Sequence, residues 1–431
     1  MGMERTRLYT IGVNGCRLLL ATTFLFSGFV KSIDPLGTYY KMQDYLSVWE
    51  LGDSFPALLV LGVAVLLSTL EFWAGACLLW GVRRISSSWA AFLLMCFMLP
   101  LSLWIAVANP VADCGCFGDA WILTNWQTFG KNVVLWLAAW CVMRSNQRII
   151  RFVSAKAEWF VPLYSGIFAF LLASYCLYHL PLIDFRPYRE GTDIRQAMTI
   201  PPGEQPTQWE TLFTLEKAGK KREFTLADYP DSTWTFVGSR TVVKQKGYEP
   251  SIQDFSLTSV EHGEELSDSL LSVPGYTFLL VAPRLEEADD SEIDLINEIY
   301  DYCIEHGYGF LGVTASGEES IEWWCDRTGA EYSFALADDI MLKTLIRSNP
   351  GLVLLHHGVI LRKWNHHDLP DEYQLSGPLP TLDIAQESPA DVRLTLFYLL
   401  LWYLVPIVLA ATVGYRFIRR PSASEEQTIT Q

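Results

Sequence analysis

Six apolar runs of about 20 residues, the length a bilayer core demands, set what this chain can fold into. They cover residues 11–30, 57–80, 89–108, 129–143, 160–180 and 394–417. The fourth is short and has room to start near Trp126. Lipid offers backbone groups no hydrogen-bond partner, so runs of this kind are expected to be membrane helices. Half of the 431 residues are hydrophobic, too many for an ordinary soluble protein. Many of the 16 tryptophans lie near the ends of the runs, where interfacial belts form.

Basic residues orient the runs. Arg5 and Arg7 precede the first, and Arg83 and Arg84 follow the second. Arg144, Arg148, Arg151 and Lys156 link the fourth to the fifth, and Arg416, Arg419 and Arg420 follow the last. If the spans alternate, all four clusters share one side, which is then cytoplasmic. The other side, periplasmic in an inner (cell) membrane protein, receives the loop 31–56, a Cys-Gly-Cys loop and the polar stretch before the last run. That stretch holds the acidity: residues 184–393 carry a net −20, against +3 before them and +1 after. Such a region will not seek nucleic acid or anionic lipid. The first run lacks a small-residue cleavage site before Lys31-Ser32-Ile33-Asp34-Pro35, so it reads as an anchor. Val13-Asn14-Gly15-Cys16 looks like a lipoprotein box, but the apolar run follows its cysteine instead of preceding it.

The expected layout is a four-helix membrane domain at 1–145 and a fifth span at 146–183. A linker with strand-like pieces follows at 184–251, then an α/β domain at 252–390. A sixth span at 391–420 and a cytoplasmic tail at 421–431 complete the chain. Within the α/β domain, residues 276–282, 309–314 and 332–337 read as strands, and 291–305, 318–327 and 339–347 as helices. Residues 351–356 and 359–364 read as a closing hairpin around His357-Gly358. Strands alternating with helices before a hairpin imply a mixed sheet.

Asp113-Cys114-Gly115-Cys116-Phe117-Gly118-Asp119 lies in a short polar loop between two apolar runs. Cysteines two positions apart can just meet disulfide geometry, with strain, and Gly115 relaxes the backbone between them. Strain makes such a bridge labile, which suits a relay. Asp113 and Asp119 are expected to disfavour a thiolate. Three readings stay open: a redox dithiol, a static local disulfide, and a metal site, for which no nearby histidine completes a ligand set. Cys16, Cys77, Cys96, Cys141 and Cys176 fall in apolar runs and read as small hydrophobes. Cys303 and Cys325 fall in helices, where buried structural thiols are favoured over a disulfide or a displaced redox thiol. Glu71, roughly 20 Å into the second run at about 1.5 Å per residue, is a costly ionisable group and a functional candidate. By depth, neither Lys31 nor Lys131 is an obvious partner for it. The alternative is a protonated Glu71 hydrogen-bonded within the bundle. His356-His357 and His366-His367 invite a metal reading, but neighbouring residues of a strand point to opposite faces.

Phe26-Ser27-Gly28-Phe29-Val30-Lys31-Ser32-Ile33-Asp34-Pro35, Glu71-Phe72-Trp73-Ala74-Gly75, Cys114-Gly115-Cys116-Phe117-Gly118 and Phe129-Gly130-Lys131-Asn132 together resemble the DoxX/MauE family of small membrane proteins. The resemblance covers about residues 8 to 143. It implies a four-helix bundle tied to periplasmic redox work. One branch is associated with maturation of a disulfide-rich amine dehydrogenase subunit, the other with quinone-linked sulfur oxidation, so a quinone cofactor is an expectation. Residues 252–371 resemble thioredoxin-like domains of the TlpA and peroxiredoxin-related type. Asp254-Phe255-Ser256-Leu257 resembles their opening strand. Ser348-Asn349-Pro350-Gly351 resembles their cis-proline segment, so a cis Asn349–Pro350 bond is expected. Where those domains carry Cys-x-x-Cys, this chain reads Ala282-Pro283-Arg284-Leu285-Glu286-Glu287. The usual dithiol chemistry is therefore excluded there. The whole reads as a membrane-anchored, redox-associated protein with a periplasmic client or thiol partner and Cys114 and Cys116 as the exchanging pair. The alternative is a non-catalytic scaffold whose bridge only shapes a loop.

Overall fold

The computed structural model describes residues 2–111, 113–217, 220–231, 233–245, 247–386 and 391–419. Arg420 and the expected tail at 421–431 lie outside the described residues. The chain divides into two compact units: Met1–Arg186 with Pro389–Gln431, and Pro187–Ser388.

The first unit is a helical bundle: α1 (Gly2–Ile33), α2 (Pro35–Val48), α3 (Ala57–Trp80), α4 (Arg84–Ala108), α5 (Asn125–Arg144), α6 (Phe160–Tyr178) and a C-terminal helix, Val392–Arg419. Five of these are long and apolar enough to cross a membrane, at Thr6–Ile33, Ala57–Trp80, Arg84–Ala108, Phe160–Tyr178 and Val392–Thr412. The chain is a multi-pass membrane protein. The fourth expected span, α5, is less apolar and is not among the five. It nevertheless runs antiparallel along α4, from the Asn132 side chain on the Met98 carbonyl (3.4 Å) to the Phe92–Trp140 ring pair (5.7 Å). A capping box of Thr124 and Gln127 starts it, earlier than the apolar run does.

Helices α1 and α3 pack closely because two glycines let their backbones meet. A Cβ on Gly28 would lie 2.4 Å from the Phe72 nitrogen, and one on Gly75 2.6 Å from the Leu25 nitrogen. Contacts gather the basic loops at one end. The Tyr9 hydroxyl meets Ser145 at 2.6 Å, Arg17 donates to the Ile150 carbonyl at 2.6 Å, and Arg84 to the Gln147 carbonyl at 3.1 Å. The Cys-Gly-Cys loop and α2 occupy the opposite end.

Helix α2 corrects the expected loop 31–56. Asp34 caps it by accepting from the Gly37 N–H at 2.9 Å, and Pro35 stands in its first turn, both ordinary helix-start signals. Because Pro35 cannot continue α1, that helix ends at Ile33, opposite the interior of α3 rather than at its outer end.

The second unit holds two sheets. The smaller is antiparallel, β1 (Gln208–Lys217), β2 (Lys220–Phe224) and β3 (Thr235–Gln245), in the order β2-β1-β3. The larger comprises β4 (Thr258–Ser259), β5 (Tyr276–Ala282), β6 (Gly309–Thr314), β7 (Phe334–Leu336), β8 (Gly351–His356) and β9 (Val359–Asn365), ordered β4-β7-β6-β5-β8-β9. Strands β5, β6 and β7 are parallel, and β8 and β9 form the antiparallel hairpin the sequence anticipates. The helices are α7 (Ile194–Met198), α8 (Ser267–Ser272), α9 (Ile293–His306), α10 (Glu318–Thr328) and α11 (Asp339–Leu345). Trp324 of α10 and Cys303 of α9 are fully buried in the core beside β5. The Asn349–Pro350 bond is cis, as expected.

Candidate functional site

The Cys114 and Cys116 sulfurs are 3.1 Å apart, as thiols. The loop's backbone makes the contact. Gly115 takes a left-handed φ of +63°, and Asp113 closes the turn by accepting the Gly115 N–H at 2.8 Å. A further approach of roughly 1 Å would bring the sulfurs to bond length. Three side chains from the bundle hold the loop. Ser27 reaches the Cys116 carbonyl at 2.7 Å, Tyr45 donates to the Cys114 carbonyl at 2.8 Å, and Lys41 pairs with Asp113 at 2.9 Å. Phe117 fixes the far side between Phe26 and Trp121, with Lys131 over its ring at 4.0 Å.

The thiols are buried: Cys114 is 7% exposed and Cys116 9%, beside a cavity of only 10 Å³. One expectation fails here, since the flanking acids do not govern them. Asp113 is neutralised by Lys41, while Cys116 feels Lys131 and Lys31. The hydrogen bond between the two sulfurs favours ionisation of Cys116, burial opposes it, and the two lysines tip the balance, so its pKa falls below the ordinary thiol range. The same hydrogen bond and burial push Cys114 up. As a pair, the thiols give up one proton readily and the second with difficulty. Burial, then the nearby Cys114, raises the Tyr45 phenol, which remains a donor.

Glu71 does have a partner, contrary to the depth argument. Lys31 reaches its carboxylate at 2.7 and 3.0 Å, and both side chains are 5% exposed. The early end of α1 places Lys31 at the level of Glu71. Ser27 joins this pair to the thiol loop: its hydroxyl lies 2.6 Å from Glu71 Oε2 and 2.7 Å from the Cys116 carbonyl. One hydroxyl proton serves two acceptors, so satisfying both needs a second proton from the Lys31–Glu71 side. Sequence reasoning missed Tyr45 and Lys41, which carry no motif of their own, and gave Ser27 no role although it lies in the Phe26-to-Pro35 stretch; what each does depends on the bundle geometry.

In the second unit, the place without cysteines is occupied by Glu286. Its carboxylate accepts from Ser316 at 2.9 Å and from Ser320, and these bonds, led by Ser320, hold its pKa low. Next to the cis bond, Ser348, His366 and Asp289 line up, with Ser348 3.0 Å from His366 Nδ1 and His366 Nε2 3.6 Å from Asp289. The Ser348 hydroxyl, however, donates to the Pro350 carbonyl and accepts the His366 N–H at 3.3 Å, so it is spent on holding the turn. His366 and His367 sit in a helical turn after β9, not in a strand, and His356 stacks on Tyr276 at 4.3 Å. Among the described residues, no group of three or more His, Cys, Asp or Glu is arranged to hold a metal ion. Cys303 and Cys325 are separate thiols.

The family model of the methylamine utilisation protein MauE matches residues 8–144, so the membrane part is MauE-like. A domain of unknown function, DUF8463, matches residues 209–246, the three-stranded sheet. No curated protein matches the chain. Among solved structures, the chain is similar to the solution structure of a candidate protein disulfide isomerase from Bacteroides thetaiotaomicron. The identity is 16%, covering 27% of this chain and 77% of that one, with a TM-score of 0.23.

Proposed function

We propose that this is an inner-membrane thiol–disulfide relay that matures an exported client through Cys114 and Cys116. The observation that carries the reading is the contact between the two thiols, with Cys116 biased toward thiolate by its hydrogen bond with Cys114 and then by Lys131 and Lys31. The MauE likeness supports a redox or maturation role. The positive-inside pattern supports placing the Cys-Gly-Cys end and residues 184–393 in the periplasm, where disulfides persist. The second unit, taken as a thioredoxin-like domain without its reactive pair, holds the client.

The exchange balances. A client thiolate attacks the Cys114–Cys116 bridge, and a mixed disulfide to one cysteine forms as the other leaves as thiolate. The second client thiol then displaces the mixed disulfide. The client gains a disulfide, the loop becomes a dithiol, and two protons pass with the two electrons. A two-electron acceptor of the membrane restores the bridge. Cys116, the better thiolate, is the leaving sulfur and takes a proton near the Lys31–Glu71 pair.

Trapping tests the roles. With Cys116 as the leaving sulfur, the client is held on Cys114. Reduced Cys116→Ser protein, mixed with an oxidised client, is expected to keep a reductant-sensitive adduct on Cys114. The Cys114→Ser variant joins through Cys116 instead. No adduct with either variant would contradict the relay. A scaffold reading draws on the burial of both thiols and the hydrogen bonds pinning their loop. It predicts normal client maturation when both cysteines are serine.

A further inference from the structure

At the end of the bundle away from the thiols, two cavities meet at one residue. The first, of 330 Å³, is lined by Arg83, Arg84, Arg151, Gln147 and Glu158 among others. Three arginines face one carboxylate there. The second, a groove of 630 Å³ between α3 and α6, is lined by Arg83 at its polar end and by Trp73, Trp159, Leu163, Ile167 and Phe170. Arg83 belongs to both.

Arg83 has a left-handed φ of +46°, a costly conformation for a residue with a Cβ. Its N–H donates to Glu158 at 2.9 Å, which fixes the turn. Its guanidinium makes no hydrogen bond or ion pair among the described residues. Arg151 meets Glu158 only at 3.8 Å, and Arg84, although it donates to the Gln147 and Ile149 carbonyls, has further N–H donors. The backbone is thus held in a strained form that leaves a cationic side chain at the junction of a basic cavity and an apolar groove.

We propose that this end of the bundle holds one anionic phospholipid, with its phosphate among Arg83, Arg151 and Arg84 and an acyl chain along the α3–α6 groove. Charge complementarity selects the headgroup, since the cavity is cationic and a phosphate is matched by arginine forks. The groove selects a lipid over a free phosphate ion, which has no use for an apolar channel. Trp159 sits where the two environments meet, as interfacial tryptophans do.

Native mass spectrometry of the full-length protein in detergent tests this with dioleoyl phosphatidylglycerol and dioleoyl phosphatidylcholine as competing probes. Phosphatidylglycerol is expected to be retained about tenfold better. The Arg83→Gln/Arg151→Gln variant should lose that preference, while Arg144→Gln, which removes a positive charge at the same end of the bundle but outside both cavities, should keep it. Gly166→Leu gives a second test that spares the arginines. A Cβ there meets only Trp73 Cδ1, at 3.8 Å, so the side chain fills the groove without disturbing the backbone. It should weaken phosphatidylglycerol retention as well. Equal retention of both lipids, an equal loss in Arg144→Gln, or glycerol phosphate binding as tightly as the intact lipid would overturn the proposal.

Discussion

Cys116 takes its character first from the hydrogen bond with its neighbour Cys114 and then from side chains far from it in the chain. Lys131 and Lys31 arrive from α5 and α1, and a positive neighbour favours the anionic form of a thiol. Its ionisation is accordingly expected below the ordinary thiol range. Rates of iodoacetamide alkylation against pH, followed on Cys116 by mass spectrometry, should rise at lower pH than those of an ordinary thiol. In Lys131→Gln the midpoint should move up, because removing a cation favours the protonated form. An unchanged midpoint would mean that the lysines do not act on the thiol. The ion pair gives a second expectation. Lys31→Met leaves Glu71 buried without its partner, at a cost of about 3–5 kcal/mol, read as a lowered unfolding temperature in detergent. The double variant Lys31→Met/Glu71→Leu should recover much of the loss. At this scale the sequence marked Cys114, Cys116 and Glu71 by their chemistry. It misjudged the flanking aspartates, because the charge that decides a thiol's ionisation is set by distance in space, and Lys41 had already claimed Asp113.

Helix pairing explains why depth along the apolar runs hides the partner of Glu71. Depth places Lys31 away from Glu71 only if α1 ends at the membrane face. Asp34-Pro35 ends it sooner, and the chain continues as α2 over the outer half of α3. The signal was present as an Asp cap followed by a first-turn proline, but a short, half-polar segment has no strong periodicity to announce it. The strands and helices of residues 276–365 were legible because β-branched and aromatic runs alternate with amphipathic ones there. The close approach of α1 and α3 was not legible, since only the partner's position shows what a glycine admits. Gly28→Ala should therefore destabilise the bundle by about 1–3 kcal/mol, its Cβ meeting the Phe72 backbone. Gly12→Ala, in the same helix with nothing within 4 Å of its Cβ, should be neutral or mildly stabilising in the same unfolding assay. Equal effects of the two would argue against the packing described.

For the whole molecule, the decisive features are a bundle with its basic loops at one end, its thiol loop at the other, and an acidic second unit between α6 and the C-terminal helix. If α5 crosses the membrane alongside α4, single cysteines placed at Gly203 and at Gln147 should label from opposite sides of intact membranes. Labelling from one side would remove the compartment on which oxidation depends. The central claim is that Cys114 and Cys116 exchange electrons reversibly. Equilibrating the purified protein in graded glutathione buffers, then trapping free thiols, tests it most directly. A bridge that forms and breaks within the range of those buffers is expected, at a potential above the roughly −300 mV of structural disulfides. A pair that stays bridged throughout, or never oxidises, would contradict it.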